Sequence, residues 1–146
     1  MHRFSRMHLS PEVAITNLGA TYRGEKSQLA ENIALIAVID LRKDYLAAGY
    51  SCMRSCCMRL MDMTLDQALR RIQVARTALR CPELFEYLED GRLGVTTAAV
   101  LAPHLEPETA AALLAEAAHR TQREIVQMLA ERSRPPALPP TAPAGE

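Results

Sequence analysis

The feature that most constrains the fold is the series of helix start and stop signals across residues 51–105. Thr64 and Gln67 match the capping box that opens a helix, and Pro82 suits the first position of the next one. Asp90-Gly91 and Pro103 end helices, because glycine readily takes the left-handed conformation and proline cannot continue a helix. These signals predict four short helices joined by tight turns.

The whole chain is predicted to be all-α, a compact bundle of six to seven helices containing a helix-turn-helix-like unit. Aromatic residues make up only 4% of the chain and Trp is absent, as is typical of helical proteins. Residues 1–25, with one proline and two glycines, are expected to form a loosely ordered arm. The helical domain should cover 26–133, and residues 134–146, which hold five prolines, should form a tail or linker.

The first helix of that domain is predicted over about residues 26–48 and to end at Gly49. Its middle is apolar nearly all round, which predicts that it is the central packing element. Further helices are expected from Ser51 to Leu60 and from Thr64 to Arg80. Four more follow, over about 82–90, 96–101, 107–118 and 121–132.

Several classes of function find no support in the sequence. No apolar run reaches the roughly 18 residues that span a bilayer, and the N-terminus lacks a signal-peptide pattern, so we expect a cytoplasmic protein without a membrane partner. The four cysteines are poorly spaced for zinc and are expected to be reduced and buried, with no metal. No catalytic motif is present, and His104 and His119 are isolated. We therefore predict no enzymatic activity, no cofactor and no small-molecule substrate.

The zero net charge of the chain hides a separation of charge. Residues 42–80 contain eight Lys and Arg against three Asp and Glu, whereas residues 81–119 contain one Arg against seven acids. A basic segment followed by an acidic one can present one face to a polyanion. The alternative is an uneven scatter of charge without function.

The helix predicted over Thr64–Arg80 carries most of that basic charge. At 100° per residue, its expected buried face consists of Leu65, Ala68, Leu69, Ile72, Ala75 and Leu79. Asp66, Arg70, Gln73 and Thr77 fall on the opposite side, flanked by Gln67 and Arg71. Arg76 falls inside the apolar arc, so we expect it to be buried and paired with an acid of the first helix or of the helix after Pro82.

A helix-turn-helix unit with cationic outward positions predicts binding of double-stranded DNA in the major groove. Gln67 and either Arg70 or Arg71 would contact base edges, and Gln73 and Thr77 on the polar side of the helix are further candidate DNA contacts. Arg54 and Arg59 on the preceding helix, together with Arg42 and Lys43, would reach phosphates. The alternative for this helix is a solvated face with pairs such as Asp66–Arg70.

A second functional hypothesis is a helical protein-interaction or dimerisation module without DNA affinity. The first helix and the Ala-rich stretch Thr109–Ala118 would then form a homodimer or dock a partner.

Residues from about Ile36 to Arg132 resemble the N-terminal helical region of a bacterial HNH endonuclease family. The matching positions are Gly49, Tyr50, Ser51, Ala68, Arg70, Arg71, Ile72, Ala75, Arg76, Pro82, Gly91, Arg92, Leu93 and Leu101 to Leu105. A looser likeness, to the helical DNA-binding part of ParB-type partition proteins, rests on the same turn-helix segment and the GRL turn. The resemblance implies a DNA-targeting or assembly module.

The nuclease half of that family, with two histidines and an asparagine around a metal, has no counterpart in this sequence. The sequence is expected to be either a truncated or degenerate member or one domain of a longer parent. In both cases the resemblance implies a non-catalytic module.

Overall fold

The computed structural model describes residues 7–133, which form α-helices and short connecting turns, with no strand in that range. The all-α prediction is confirmed. The helices are α1 (Pro11–Arg42), α2 (Asp44–Ala47), α3 (Met53–Leu60), α4 (Leu65–Arg80), α5 (Glu83–Glu89), α6 (Val95–Leu101), α7 (Ala110–Ala117) and α8 (Gln122–Ser133), and a 3-10 turn covers Ala102–His104. The tail predicted over 134–146 lies outside the described residues.

Helix α1 begins about fifteen residues before the predicted start, so the expectation of a loosely ordered arm is wrong for residues 11–25. The Ser10 side chain accepts a hydrogen bond from the backbone N–H of Val13, and Pro11 occupies the first helical position. Each glycine inside a helix costs only about 1 kcal/mol, and a helix of 32 residues with a capped start tolerates both. The helix therefore continues through both glycines without a break.

The predicted first helix also ends earlier than expected, at Arg42. Lys43 has a φ of 61° and lies in the left-handed region, so the chain turns there and the short helix α2 follows. Because of this break, residues 7–133 contain eight α-helices, one more than the six to seven predicted. No sequence signal marked it, since lysine has no preference for the left-handed conformation.

The centre of the bundle is α4 rather than α1, contrary to the prediction. Helix α4 packs against α1, α3, α5, α6 and the 3-10 turn. The other end of the bundle is closed by α6 against α8 and by α5 against α7. Leu35, Val38 and Leu41 lie exposed on the outer side of α1. The apolar residues all round this helix are therefore not all buried.

The turn at residues 90–92 ends α5 and leads towards α6. Gly91 ends the α5 segment with a φ of 83°, a conformation that favours glycine. The neighbouring Arg92 pairs with Asp90 and lies 3.8 Å from the centre of the Tyr87 ring. The hydrogen bonds from Arg92 lower the pKa of Asp90 below its usual value.

Candidate nucleic-acid interface

The segment predicted to bind DNA consists of α3, the turn Met61–Thr64 and α4. Asp62 in this turn has a φ of 52°. The turn ends in the predicted capping box: Thr64 Oγ1 accepts from the backbone N–H of Gln67 at 3.2 Å, and Gln67 Oε1 accepts from the backbone N–H of Thr64 at 3.0 Å. A four-residue turn between two packed helices has the length typical of a helix-turn-helix unit.

Helix α3 presents two arginines to solvent. It buries Met53, Cys56 and Cys57 against the rest of the bundle, and Arg54 and Arg59 lie among its exposed residues. The ion pairs of the described residues join Arg42 to Asp44, Arg76 to Asp40, Arg92 to Asp90 and Arg132 to Glu116. Arg54 and Arg59 therefore have no acidic partner within residues 7–133.

The first turns of α4 bring Gln67, Arg70 and Arg71 together along one shallow groove. Its remaining lining comes from the α3–α4 turn and from Val95 and Thr96 at the start of α6. The oxygen of Gln67 is engaged in the capping box, which leaves its NH2 group as a donor. Arg70 is half-buried and has no acidic partner among the described residues, and no Asp66–Arg70 ion pair forms there.

Arg71 has a structural contact that the sequence did not predict. Its Nη1 donates to Asn32 Oδ1 of α1 at 2.6 Å, and Asn32 Nδ2 lies 3.3 Å from the Sδ of Met61. Burial lowers the pKa of the Arg71 guanidinium, while the neighbouring Cys57 acts in the opposite direction. Arg71 thus ties α4 and the turn to α1, and only part of its guanidinium faces the groove.

The exposed face of α4 differs from the predicted one. Thr77 is only 3% exposed, so its predicted contact with DNA is wrong. Ala68, Ile72 and Ala75 are buried as expected, but three leucines of the expected buried face are exposed, namely Leu65, Leu69 and Leu79. The orientation of α4 about its axis keeps Gln73, three residues after Arg70, at the surface.

Arg76 pairs with an acid of the first helix, as predicted, but it is not buried. Its Nε and Nη2 donate to the two carboxylate oxygens of Asp40 at 2.8 and 3.0 Å. The Arg76 side chain is 62% exposed and that of Asp40 is 14% exposed. The remaining predicted phosphate contact, Lys43, is exposed at the junction of α1 and α2.

Four cysteines lie in or next to this region, at Cys52, Cys56, Cys57 and Cys81. All are free thiols, and the last three are buried, as predicted. Cys52 differs because its Sγ caps α3 by accepting from the backbone N–H of Ser55, which lowers its pKa to about 7. Burial raises the pKa of Cys57 to about 11.

Comparisons with family models, curated proteins and solved structures found no match. Within residues 7–133, no helix is both long enough and apolar enough to cross a membrane. The same residues contain no group of three or more His, Cys, Asp or Glu side chains that could hold a metal ion.

Proposed function

We propose that this helical domain binds double-stranded DNA through α3 and the first turns of α4, as a non-catalytic module acting in the cytoplasm. The observation that carries the proposal is the set of arginines without acidic partners around the α3–α4 turn: Arg54, Arg59 and Arg70. A cation that no carboxylate of the protein neutralises is available to a phosphate.

We propose different roles for the individual cations and polar side chains around the α3–α4 turn. Arg54 and Arg59 on the outer face of α3 are proposed to reach phosphates, with Lys43 as a further cation at the α1–α2 junction. Gln67, Arg70 and Gln73 are the proposed contacts to base edges. Arg71 is proposed mainly to hold α4 against α1 through Asn32. In helix-turn-helix proteins, contacts to phosphates position the protein on DNA and contacts to base edges recognise the sequence, and the proposed roles follow this pattern.

The test is a titration of a fluorescent duplex with the full chain at several salt concentrations. In the Arg54→Ala/Arg59→Ala variant we expect the slope of log K against log salt to fall by about 1.8, or roughly 0.9 for each phosphate contact. At 0.1 M salt the same relation gives a loss of affinity of about 60-fold, which disappears on extrapolation to 1 M.

The matched control is Arg120→Ala/Arg123→Ala, which removes the same charge from exposed positions before and within α8. It should change affinity by less than about three-fold, because distant charges are screened at this salt concentration. Equal losses in the two double variants would show that only the total charge matters. That outcome, or no binding by the unaltered chain at low salt, would reject the proposed interface.

A second candidate, a protein-interaction module, has its own support in the structure. The N-terminal half of α1 exposes large apolar side chains, including Ile15 and Leu18. This surface is distinct from α3 and the first turns of α4, so the two functions do not compete for the same residues.

A further inference from the structure

The side-chain amide of Gln67 has one end bound to the backbone and the other end open to solvent. Its Oε1 accepts from the backbone N–H of Thr64 at 3.0 Å, as one half of the capping box of α4. The positions of oxygen and nitrogen in this amide are fixed by that contact, because a backbone N–H requires an acceptor and an amide NH2 group only donates. Gln67 is exposed, and its Nε2 makes no hydrogen bond within residues 7–133. It therefore offers a donor to a ligand.

The groove that Gln67 lines with Arg70 and Arg71 is not uniformly cationic. Asp62 belongs to the same lining, and methionine and valine side chains form its apolar part. A carboxylate repels a phosphate, whereas the edge of a base in the major groove combines donors, acceptors and apolar carbon. The composition of this lining favours a base edge.

A donor offered without an acceptor distinguishes between bases in the major groove. Glutamine usually recognises adenine by donating to N7 and accepting from N6, which requires its oxygen and its NH2 group side by side. The oxygen of Gln67 is turned back towards the backbone nitrogen of Thr64, so this pairing is not available to it. A keto oxygen, O6 of guanine or O4 of thymine, accepts from an NH2 group, whereas the amino groups of adenine and cytosine present a second donor.

We propose that Gln67 selects a keto base, guanine or thymine, in the major groove, because the capping box of α4 leaves only its donor available. This inference rests on the proposed binding of double-stranded DNA. Arg70 lies three residues further on, about 4.5 Å along the helix axis, so the keto base should lie one or two steps from a guanine recognised by the arginine. The exposed Gln73 has no capping bond within the described residues, so its whole amide is available to adenine.

The test is the substitution Gln67→Glu, which keeps the cap and exchanges the available donor for an acceptor. Glutamate at this position of a capping box also accepts from the backbone N–H of Thr64, so the midpoint of urea unfolding should not change. Duplexes that the full chain binds are selected from a random pool and sequenced. For the unaltered chain we expect guanine or thymine at one position, and replacing that base pair should weaken binding at least about five-fold. In Gln67→Glu the same position should change to cytosine, whose N4 donates to a carboxylate.

The matched control is Gln73→Glu, which adds the same charge to an exposed position of the same helix and does not touch the cap. It should keep the keto base and change a different position of the site. Gln67→Ala removes the donor and should bind all four bases at the keto position within about two-fold. This variant provides the test in case the added charge of Gln67→Glu abolishes binding.

Several outcomes would overturn the inference. These are adenine in the unaltered chain at the position that changes in Gln67→Glu, the same change in both glutamate variants, and a keto preference that persists in Gln67→Ala. Binding that depends on Arg54 and Arg59 but shows no base preference would also overturn it and would leave the proposed function standing. No binding of the unaltered chain at low salt would reject both.

Discussion

The ion pair between Asp40 and Arg76 should contribute to stability asymmetrically. Arg76→Ala leaves the Asp40 carboxylate, only 14% exposed, without its partner. Asp40→Ala leaves a guanidinium that is 62% exposed and can be hydrated. Because an unpaired buried charge is costly and a hydrated one is not, we expect Arg76→Ala to destabilise the protein more than Asp40→Ala.

The magnitudes follow from the same exposures. A hydrogen bond to a charged group is worth about 1.5–3 kcal/mol when shielded, and an exposed ion pair only about 0.2–1 kcal/mol. Since the carboxylate that accepts both hydrogen bonds is only 14% exposed, we expect a coupling energy of about 2 kcal/mol, and the exposed arginine keeps it below the upper end of that range. Arg76→Ala should then lower the free energy of unfolding by about 2 kcal/mol, and Asp40→Ala by about 1 kcal/mol. The double variant should resemble Asp40→Ala.

The assay is urea unfolding followed by circular dichroism, with the unaltered chain and the three variants at one protein concentration. Holding the concentration fixed matters because any self-association would shift the apparent stability. The reasoning is refuted when Asp40→Ala costs as much as Arg76→Ala, or when the coupling energy is below about 0.3 kcal/mol, a typical limit of additivity for independent sites.

Two further outcomes test the region around α3 and α4. At pH 7 iodoacetamide should modify Cys52 first, and the rate of this modification should rise with pH through a midpoint near 7. Cys57, which is buried and has a pKa of about 11, should react only after unfolding, and peptide mass spectrometry distinguishes the two sites. Thr64→Ala should lower the free energy of unfolding by about 1 kcal/mol, because the α4 cap is lost. The control Thr96→Ala removes no cap and should change the free energy of unfolding by less than about 0.5 kcal/mol. A larger loss in Thr96→Ala than in Thr64→Ala would contradict this prediction.

The helices with strong local end signals were predictable from the sequence. The start of α4 was correct because Thr64 and Gln67 satisfy each other within four residues, independently of the rest of the fold. The start of α1 was missed although Ser10 and Pro11 are an N-cap and a first-position proline. The two glycines that follow favour a loop in the sequence, but a long helix tolerates them.

The orientation of α4 about its axis could not be read from residue types. The projection assumed that leucines point inward and threonine outward, yet Leu69 is 45% exposed and Thr77 is 3% exposed. Helix α4 is contacted on several sides, so small residues such as Ala78 and Thr77 lie where neighbouring helices come close. Which neighbours approach is a property of the whole bundle and outweighs the preference of any single side chain.

The fold shows where the acidic and basic side chains of the two oppositely charged segments lie. In the acidic segment, Glu86, Glu89 and Asp90 line one groove with Arg23, Lys26 and Arg92, so cations from α1 and from the end of α5 lie beside these acids. In the basic segment, Arg42 and Arg76 are paired with acids. Of the other acids there, Asp66 opens α4 and Asp62 lines the groove beside Arg70 and Arg71, so the segment keeps an excess of cations. A net charge of zero is therefore compatible with the proposed contact to a polyanion, because 14 of the 17 acids that balance these cations in the total lie outside residues 42–80.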